Sequence, residues 1–531
     1  MAHTVDYSHP DIGTVKGTTT NNTLQFCGVQ YASLRDRFAP PEPKEYSPST
    51  TIDATTLGPQ VLSFFPNADA ELGLIQHDLP YAKHELRMSD TDGLCLNITA
   101  PATTRPDANL PVFVFIHGGG FFTGSATWPQ YDMRSFVRLS VDIGKPIVAV
   151  VLNYRLGAPG LLYSSALKRA GYAANNTLHD QRAALRWIQR HIAGFGGDPA
   201  NVTLAGESAG SVSVCYHLFA EERLFARVVC MSGTHLLIPP MTAEEAEAEF
   251  GKAVRALGLE GKEEGEVVEA LNGMEGGEMV GRLMGAGLRL GPVVDGDVVP
   301  CGFTTKDFLD GKVDMPGLRH CQGAMIGDCA FDGSIRSLDL ARLKEGIAAK
   351  FCAHLTETFS SQPDIADRWL ALYDLNPSTP DDEAFVSILH IANDLNFYHP
   401  TLHLSRHLRT EHPSIPVHLY RFNVPNPWPG PWQGQSNHIL DISFLFQNFN
   451  AYLGRDDTKV AWRFAEDVVG FVNGEVPWAG EEVARVYGAQ GVLRDVRDVP
   501  AETGRRAGLE GLAEVVGWDG LNGAFAAFSK A

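Results

Sequence analysis

Apolar and polar positions along the chain follow two rhythms. Unbroken apolar runs at 110–116 and 146–153 predict short buried strands, and 202–205 and 416–422 read as two further strands. Between 178 and 192 the interval changes. Leu178, Ala183, Leu185, Trp187, Ile188 and Ile192 recur among Asp, Gln and Arg at helical spacing, and Gly194, Gly196 and Gly197 end the stretch. A further helical run passes through Val212, Cys215 and Leu218. Strand, helix, strand, helix in this order predicts an α/β fold with a large, mostly parallel sheet and helices on its faces. Residues 241–290 carry Leu and Val at helical spacing among Glu, Gly and Ala, so they predict surface helices laid over the sheet. Residues 335–415 are read as a second helical insertion, and 425–435, rich in Pro and Trp, as a loop. No internal repeat is visible, and residues 1–531 read as one domain.

Hydrophobic residues make up 44% of the 531, enough to bury a large core. The 43 basic residues against 63 acidic ones leave a net charge of −20, which argues against a nucleic-acid or anionic-membrane partner. The N-terminal residues lack the basic-then-apolar pattern of a secretory leader, and no apolar run is long enough for a membrane span. A cytoplasmic location is therefore expected. The eight cysteines include no CxxC pair and read as free, mostly buried thiols, and the sequence implies no metal or organic cofactor.

The candidate chemistry centres on Gly206-Glu207-Ser208-Ala209-Gly210, set between a predicted strand and a predicted helix. Glycines on both sides of a serine permit the tight strand-to-helix turn that lifts its hydroxyl above a sheet. Upstream, His117-Gly118-Gly119-Gly120 closes another strand. Consecutive glycines leave backbone N–H groups open to a substrate oxygen, the donors that stabilise an oxyanion in acyl transfer. In that arrangement an acid and then a histidine follow the serine along the chain. Among 18 histidines, His438 has the best setting, a loop shortly after the 416–422 strand; His418 lies inside that strand, and His117 reads as structural. For the acid, Asp328 and Asp332 both follow a short apolar run, and spacing does not separate them.

These motifs resemble the type-B carboxylesterases, which include the cholinesterases and the fungal lipases. Residues 195–210 (FGGDPANVTLAGESAG) are similar to that family's long serine signature. So are 37–41 (RFAPP), 153–157 (NYRLG), 180–187 (DQRAALRW), 291–296 (GPVVDG), and 471–474 (FVNG) with 476–478 (VPW). In character the chain looks closest to the fungal carboxylesterases. The resemblance implies an α/β-hydrolase fold whose helical and loop insertions form a cap around an active-site gorge. It puts Ser208 on the nucleophile, Gly119, Gly120 and Ala209 on the oxyanion donors, His438 on the base, and Asp332 rather than Asp328 on the acid. Two departures stand out. The family usually has Glu where this chain has Asp332. Its usual Glu-Asp-Cys-Leu segment is Thr91-Asp92-Gly93-Leu94 here, so the cysteine of a first disulfide loop is missing and Cys95 falls two positions later.

The expected activity is hydrolysis of a small or medium, largely apolar ester through an acyl-enzyme. Transfer of the acyl group to another nucleophile, thioester or lactone hydrolysis, and a silent binding protein are the alternatives. Glu207, Trp428 and Trp432 are read as substrate-binding residues. The two tryptophans are expected to rim the entrance because their loop leads to His438, and Glu207 is expected to support the hydrogen bonding around His438 or to be structural. Phe64, Phe65 and Trp128 are further aromatic loop candidates.

Overall fold

The computed structural model describes residues 3–530 apart from 66, 76–78, 82, 85, 86, 479, 481, 482 and 498–503. One large sheet organises the chain. Its strands are β1 (His3–His9), β2 (Gly13–Thr20), β3 (Thr23–Gln30), β4 (Cys95–Pro101), β5 (Leu110–Ile116), β6 (Val148–Leu152), β7 (Gly197–Glu207), β8 (Arg227–Met231), β9 (Ala324–Cys329), β10 (Val417–Phe422), β11 (Val483–Tyr487) and β12 (Leu493–Arg497). They lie in the order β1-β2-β3-β4-β6-β5-β7-β8-β9-β10-β11-β12, and a short strand, Thr51–Asp53, pairs with β2. The seven from β6 to β11 in that order run parallel, and antiparallel strands extend both edges.

The helices that matter below are α1 (Asp69–Ile75), α2 (Arg134–Asp142), α3 (Asn176–His191), α4 (Ala209–His217), α5 (Asp381–Asn393), α6 (His399–Glu411), α7 (Arg455–Val472), α8 (Arg505–Val516) and α9 (Trp518–Lys530). Between α5 and α6 the chain stays helical but widens into a π-turn at Asp394–Tyr398. Helices cover both faces of the sheet, which is why β5 and β6 read as unbroken apolar runs instead of alternating ones. One face packs Val112, Val114, Leu204 and Val228 against α3 and α4; the other packs Phe113, Phe115, Ala205 and Val229 against α2 and α7. Further helices lie at Ala243–Ala256, Glu264–Gly273 and Gly276–Met284.

A buried ion pair joins the sheet to α3. Arg155, just after β6, makes a two-pronged bond to Asp180 on α3 (2.7 and 2.8 Å), and both side chains are buried. Its remaining N–H groups donate to the carbonyls of Arg37 and Ala39, so no charge is left unpaired at the join. All eight cysteines are free, and only Cys301 is exposed. Among the described residues no helix is long and apolar enough to cross a membrane.

Helix α6 carries His399, His403 and His407 one turn apart on a buried face. They pack on Trp518 of α9 and on Phe308. Burial pushes His403 down to about 3 and His407 to about 4, and holds His399 well below the ordinary range. A histidine depressed in the folded state stabilises the protein above its unfolded value near 6.5, and that contribution is lost as pH falls towards the folded value. Asp328 and Asp441, both raised to about 6 by burial, act in the opposite sense as pH falls from 6. Their effect is common to parent and variant, so a comparison isolates the histidine. Replacing His403 with Leu is expected to flatten the acid side of the stability curve, the variant gaining on the parent by up to about 1.4 kcal/mol per pH unit below 6.5. Denaturant unfolding between pH 7 and pH 4 checks this, and parallel curves contradict it.

Candidate active site

In a parallel sheet the strand order reverses at one place, and the chain leaves a crevice there beyond the carboxyl ends of the strands. Here the reversal lies between β5, whose onward connection goes to β6 on one side, and β7, whose onward connection goes to β8 on the other. The glycine run 118–120 leaves the end of β5, and Ser208 follows the last residue of β7. Asp332 and His438 follow β9 and β10, so four loops from one end of the sheet meet above it.

Ser208 sits at the start of α4 with φ 53° and ψ −123°, a conformation that L side chains rarely adopt. Two close approaches force the turn. A side chain at Gly206 would overlap the Gly210 carbonyl, and one at Gly210 would overlap the carbonyl of Ile116 at the end of β5. The Ser208 N–H donates to Met231 O of β8 at 2.9 Å, and Ser208 O accepts from Val212 N–H at 2.9 Å, so neighbouring structure holds the strained residue. Ser208 remains half-exposed between buried neighbours.

The glycine run lies against this turn: a Cβ built on Gly118 would come within 3.1 Å of Ser208 Cβ. Gly119 has φ +98° and Gly120 φ +63°. Among the described residues the amides of Gly119, Gly120 and Ala209 donate to no group of the protein. Beneath them His117 is buried, its ring stacked on Tyr154 at 4.5 Å and its Nδ1 2.9 Å from Gly118 O. Burial pushes it down to about 4, a structural setting.

The sequence left the acid open between Asp328 and Asp332, and the strand register separates them. Asp328 is still in β9, opposite Arg421 of β10, and the two form an ion pair. Asp332 lies past the strand end, fully buried. One of its oxygens accepts the Cys329 N–H (2.8 Å), and the other accepts Nδ1–H of His438 (2.7 Å). The His438 N–H donates to Ser334 Oγ (3.0 Å), and its ring lies 5.1 Å from Phe397. The ring is thus fixed from its backbone, its Nδ1 edge and one side. Its Nε2 comes within 3.1 Å of Glu207, the residue before Ser208, in a contact not aligned as a hydrogen bond.

Four buried carboxyl groups crowd this imidazole: Asp332, Glu207, Glu71 and Asp441. Burial first, and then the charges of Glu71, Asp441 and Asp332, hold Glu207 well above the ordinary carboxylate range. Burial also raises Glu71, even though Gln130 Nε2 (2.8 Å) and Tyr131 OH (2.6 Å) donate to it. Asp441 takes the Tyr420 hydroxyl at 2.8 Å. The upward shift of Glu207 disfavours a competing anion on the Nε2 side of His438.

Of the three residues read from sequence as substrate-binding, Trp428 lands elsewhere. Trp428 does not rim an entrance. It is 4% exposed, packs on Phe444 and Phe449, and donates its indole N–H to Tyr452 O at 3.0 Å. Its Pro-rich loop folds back on the core, which sequence composition does not reveal. Trp432 is half-buried with its edge on Phe331, the neighbour of Asp332. Glu207 is buried at the histidine and not on a substrate-facing wall. Of the other aromatic candidates, Trp128 is core, whereas Phe64 stacks on Phe122 (5.3 Å) beside the glycine run and Phe65 is exposed. Ser334, Glu71 and Phe397 were not singled out from sequence. Each sits in a segment without a motif and reaches the site only through packing.

The chain is similar to known proteins along most of its length. A sequence model described as the carboxylesterase family matches residues 3–487. The para-nitrobenzyl esterase of Bacillus subtilis (strain 168) is 38% identical over 252 residues, 46% of this chain and 47% of that protein, so the match spans about half of its length. Lipase 1 of Yarrowia lipolytica (strain CLIB 122 / E 150) is 25% identical over 507 residues, covering 92% of this chain and 93% of that one. A solved thermophilic PNB esterase superposes with a TM-score of 0.71 at 25% identity, covering 95% of this chain and 99% of its own.

A methyl group at Gly119 would overlap the Thr123 carbonyl in a backbone that disfavours any side chain. Gly119→Ala is therefore expected to move the amides of this loop and to slow labelling of Ser208 by a fluorophosphonate about a hundredfold, the scale of losing one oxyanion donor. Time-resolved labelling checks this; an unchanged rate would show that the loop does not face the serine.

Proposed function

The chain belongs to the carboxylesterase family and has the α/β-hydrolase fold; on that premise we propose that it is a serine carboxylic-ester hydrolase working through a Ser208–His438–Asp332 acyl-enzyme on a small or medium, largely apolar ester. Nε2 of His438 takes the Ser208 proton as the oxygen attacks the ester carbonyl. Negative charge gathers on the carbonyl oxygen and is met by the amides of Gly119, Gly120 and Ala209. The imidazolium returns its proton to the leaving alcohol, and the acyl group stays on Ser208. Water, deprotonated by the same nitrogen, then attacks the acyl carbon, and the acid leaves. Asp332 holds the proton on Nδ1 throughout and stabilises the charged ring.

The observation that carries this reading is the 2.7 Å bond from His438 to Asp332, with the free edge of the ring beside the residue that precedes Ser208. Aromatic side chains near the glycine run support an apolar substrate: the stacked pair Phe64 and Phe122 is only partly buried there. Phe64 and Trp432 keep partly exposed faces beside the glycine and acid loops, and we assign them to substrate contact.

Ser208→Ala is expected to lower ester turnover by about four to six orders of magnitude, and Asp332→Asn by about four, both with the fold retained. A panel of p-nitrophenyl esters of increasing acyl length, run with product analysis in the presence of a competing alcohol, reads out rate, chain preference and hydrolysis against transfer. Wild-type turnover in Ser208→Ala would remove the assignment.

A further inference from the structure

Helices α8 and α9 lie past residue 487, where the family match ends, yet α8 reaches the proposed catalytic acid and base through one buried carboxylate. Asp394 opens the π-turn between α5 and α6 and is fully buried. Four side chains donate to it: Arg505 (2.7 Å) and Arg506 (3.1 Å) at the start of α8, Tyr373 OH (3.1 Å), and Asn393 Nδ2 (3.2 Å). A π-turn places one extra residue in a helix and re-aims the side chains around it, and such turns gather at functional sites.

The neighbours of Asp394 are aimed at the two loops that matter. On one side, Asn393 Oδ1 accepts the N–H of Gly333, the residue after Asp332, at 3.1 Å. A side chain at Gly333 would overlap the Leu389 carbonyl, so the acid loop rests directly on the end of α5. On the other side, Phe397 packs on the His438 ring. The next residue, Tyr398, is held between two guanidinium groups, Arg506 at 3.5 Å and Arg421 at 4.4 Å, and Arg421 is the partner of Asp328 at the base of the acid loop. Three contacts of one helical turn thus converge on the Asp332–His438 pair.

We propose that Asp394, clamped by Arg505 and Arg506, is a positioning residue for the Asp332–His438 pair, so that α8 is a working part of the catalytic centre. The proposal rests on the triad reading above. Without the clamp, a buried Asp394 would have to move or lose its charge. Asn393 and Phe397 would move with it, and the acid and ring would lose their alignment. Asp332 is a short acid, and a short side chain depends more on where its loop sits than a long one does.

The test compares the parent chain, Arg505→Gln/Arg506→Gln, Arg505→Lys/Arg506→Lys and a control, Arg342→Gln. Arg342 donates to Ser529 O at the far end of α9, so its loss loosens the same C-terminal helices without touching Asp394. Arg505 and Arg506 are partly exposed, which favours folding of the glutamine variant. Ester kcat and KM, thermal midpoint, and the far-downfield proton resonance of the His438–Asp332 hydrogen bond in histidine-labelled protein are measured for each. The glutamine pair is expected to lower kcat between about fivefold and a hundredfold with KM within about twofold, and to shift or broaden the resonance. The lysine pair is expected to recover part of both, while the control keeps kcat and the resonance at any midpoint. Unchanged kcat and resonance in the glutamine pair overturn the proposal, as does a loss of kcat that simply follows the midpoint across all variants. A parent that shows the resonance but hydrolyses no ester would sink the esterase reading instead, and the resonance of the variants would still decide the clamp.

Discussion

An imidazole accepts a proton at Nε2 only while Nδ1 carries one, so a histidine base needs a partner that holds the Nδ1 proton in place. The 2.7 Å bond from His438 to Asp332 meets that need in a setting closed to water, with both side chains almost fully buried. Burial makes the bond effective and also makes it demanding. A buried carboxylate must find its remaining partners inside the protein, and Asp332 finds one in the Cys329 N–H at the end of β9. The end of β9 therefore sets where the acid stands, and β10 delivers the histidine loop beside it. The proposed triad depends on the registration of two neighbouring parallel strands more than on any local feature of the loops.

The same burial raises a second problem, which the surrounding carboxyl groups expose. Placing Glu207, Glu71 and Asp441 around one imidazole in a water-poor interior would be costly if all were ionised. The direction of their shifts, upward in each case with burial as the leading cause, describes how the cost is avoided: these groups retain protons more readily than exposed ones. Tyr131 and Tyr420 donate to two of them, fixing their geometry even when charge is partly absent. When His438 takes up a proton, a nearby ring of polarisable carboxyl groups is already oriented around it, and little rearrangement is required at that moment.

What could be read from sequence follows from how local each requirement is. The serine turn and the glycine run are dictated by near neighbours. Gly206 meets Gly210, and Gly119 meets Thr123, so the residue types show in the string itself. The alternating strands and helices were legible for a related reason, since burial on both faces leaves unbroken apolar runs such as β5. The choice between Asp328 and Asp332 was legible only through the family resemblance, because four residues of spacing cannot say where β9 ends or that Arg421 stands opposite Asp328. Trp428 misled because a Pro- and Trp-rich loop looks exposed, whereas its indole turns inward onto Phe444. Asp394 and its arginines are more than a hundred residues apart, and nothing in either segment marks the pairing.

This difference in locality divides the chain's work. The first half presents the nucleophile and the amide donors, and it does so through backbone contacts among the ends of β5, β7 and β8. The second half presents the acid and the base, where the ends of β9 and β10 place the two loops and helices packed outside the sheet seat them. A carboxylate one methylene shorter than the family's usual Glu can serve only if its loop is carried inward, and the seat of Gly333 on the end of α5 is where that loop is held. Substitutions far from Ser208, on helices that touch no substrate, should therefore act on the alignment of the acid and base while leaving the serine turn itself undisturbed.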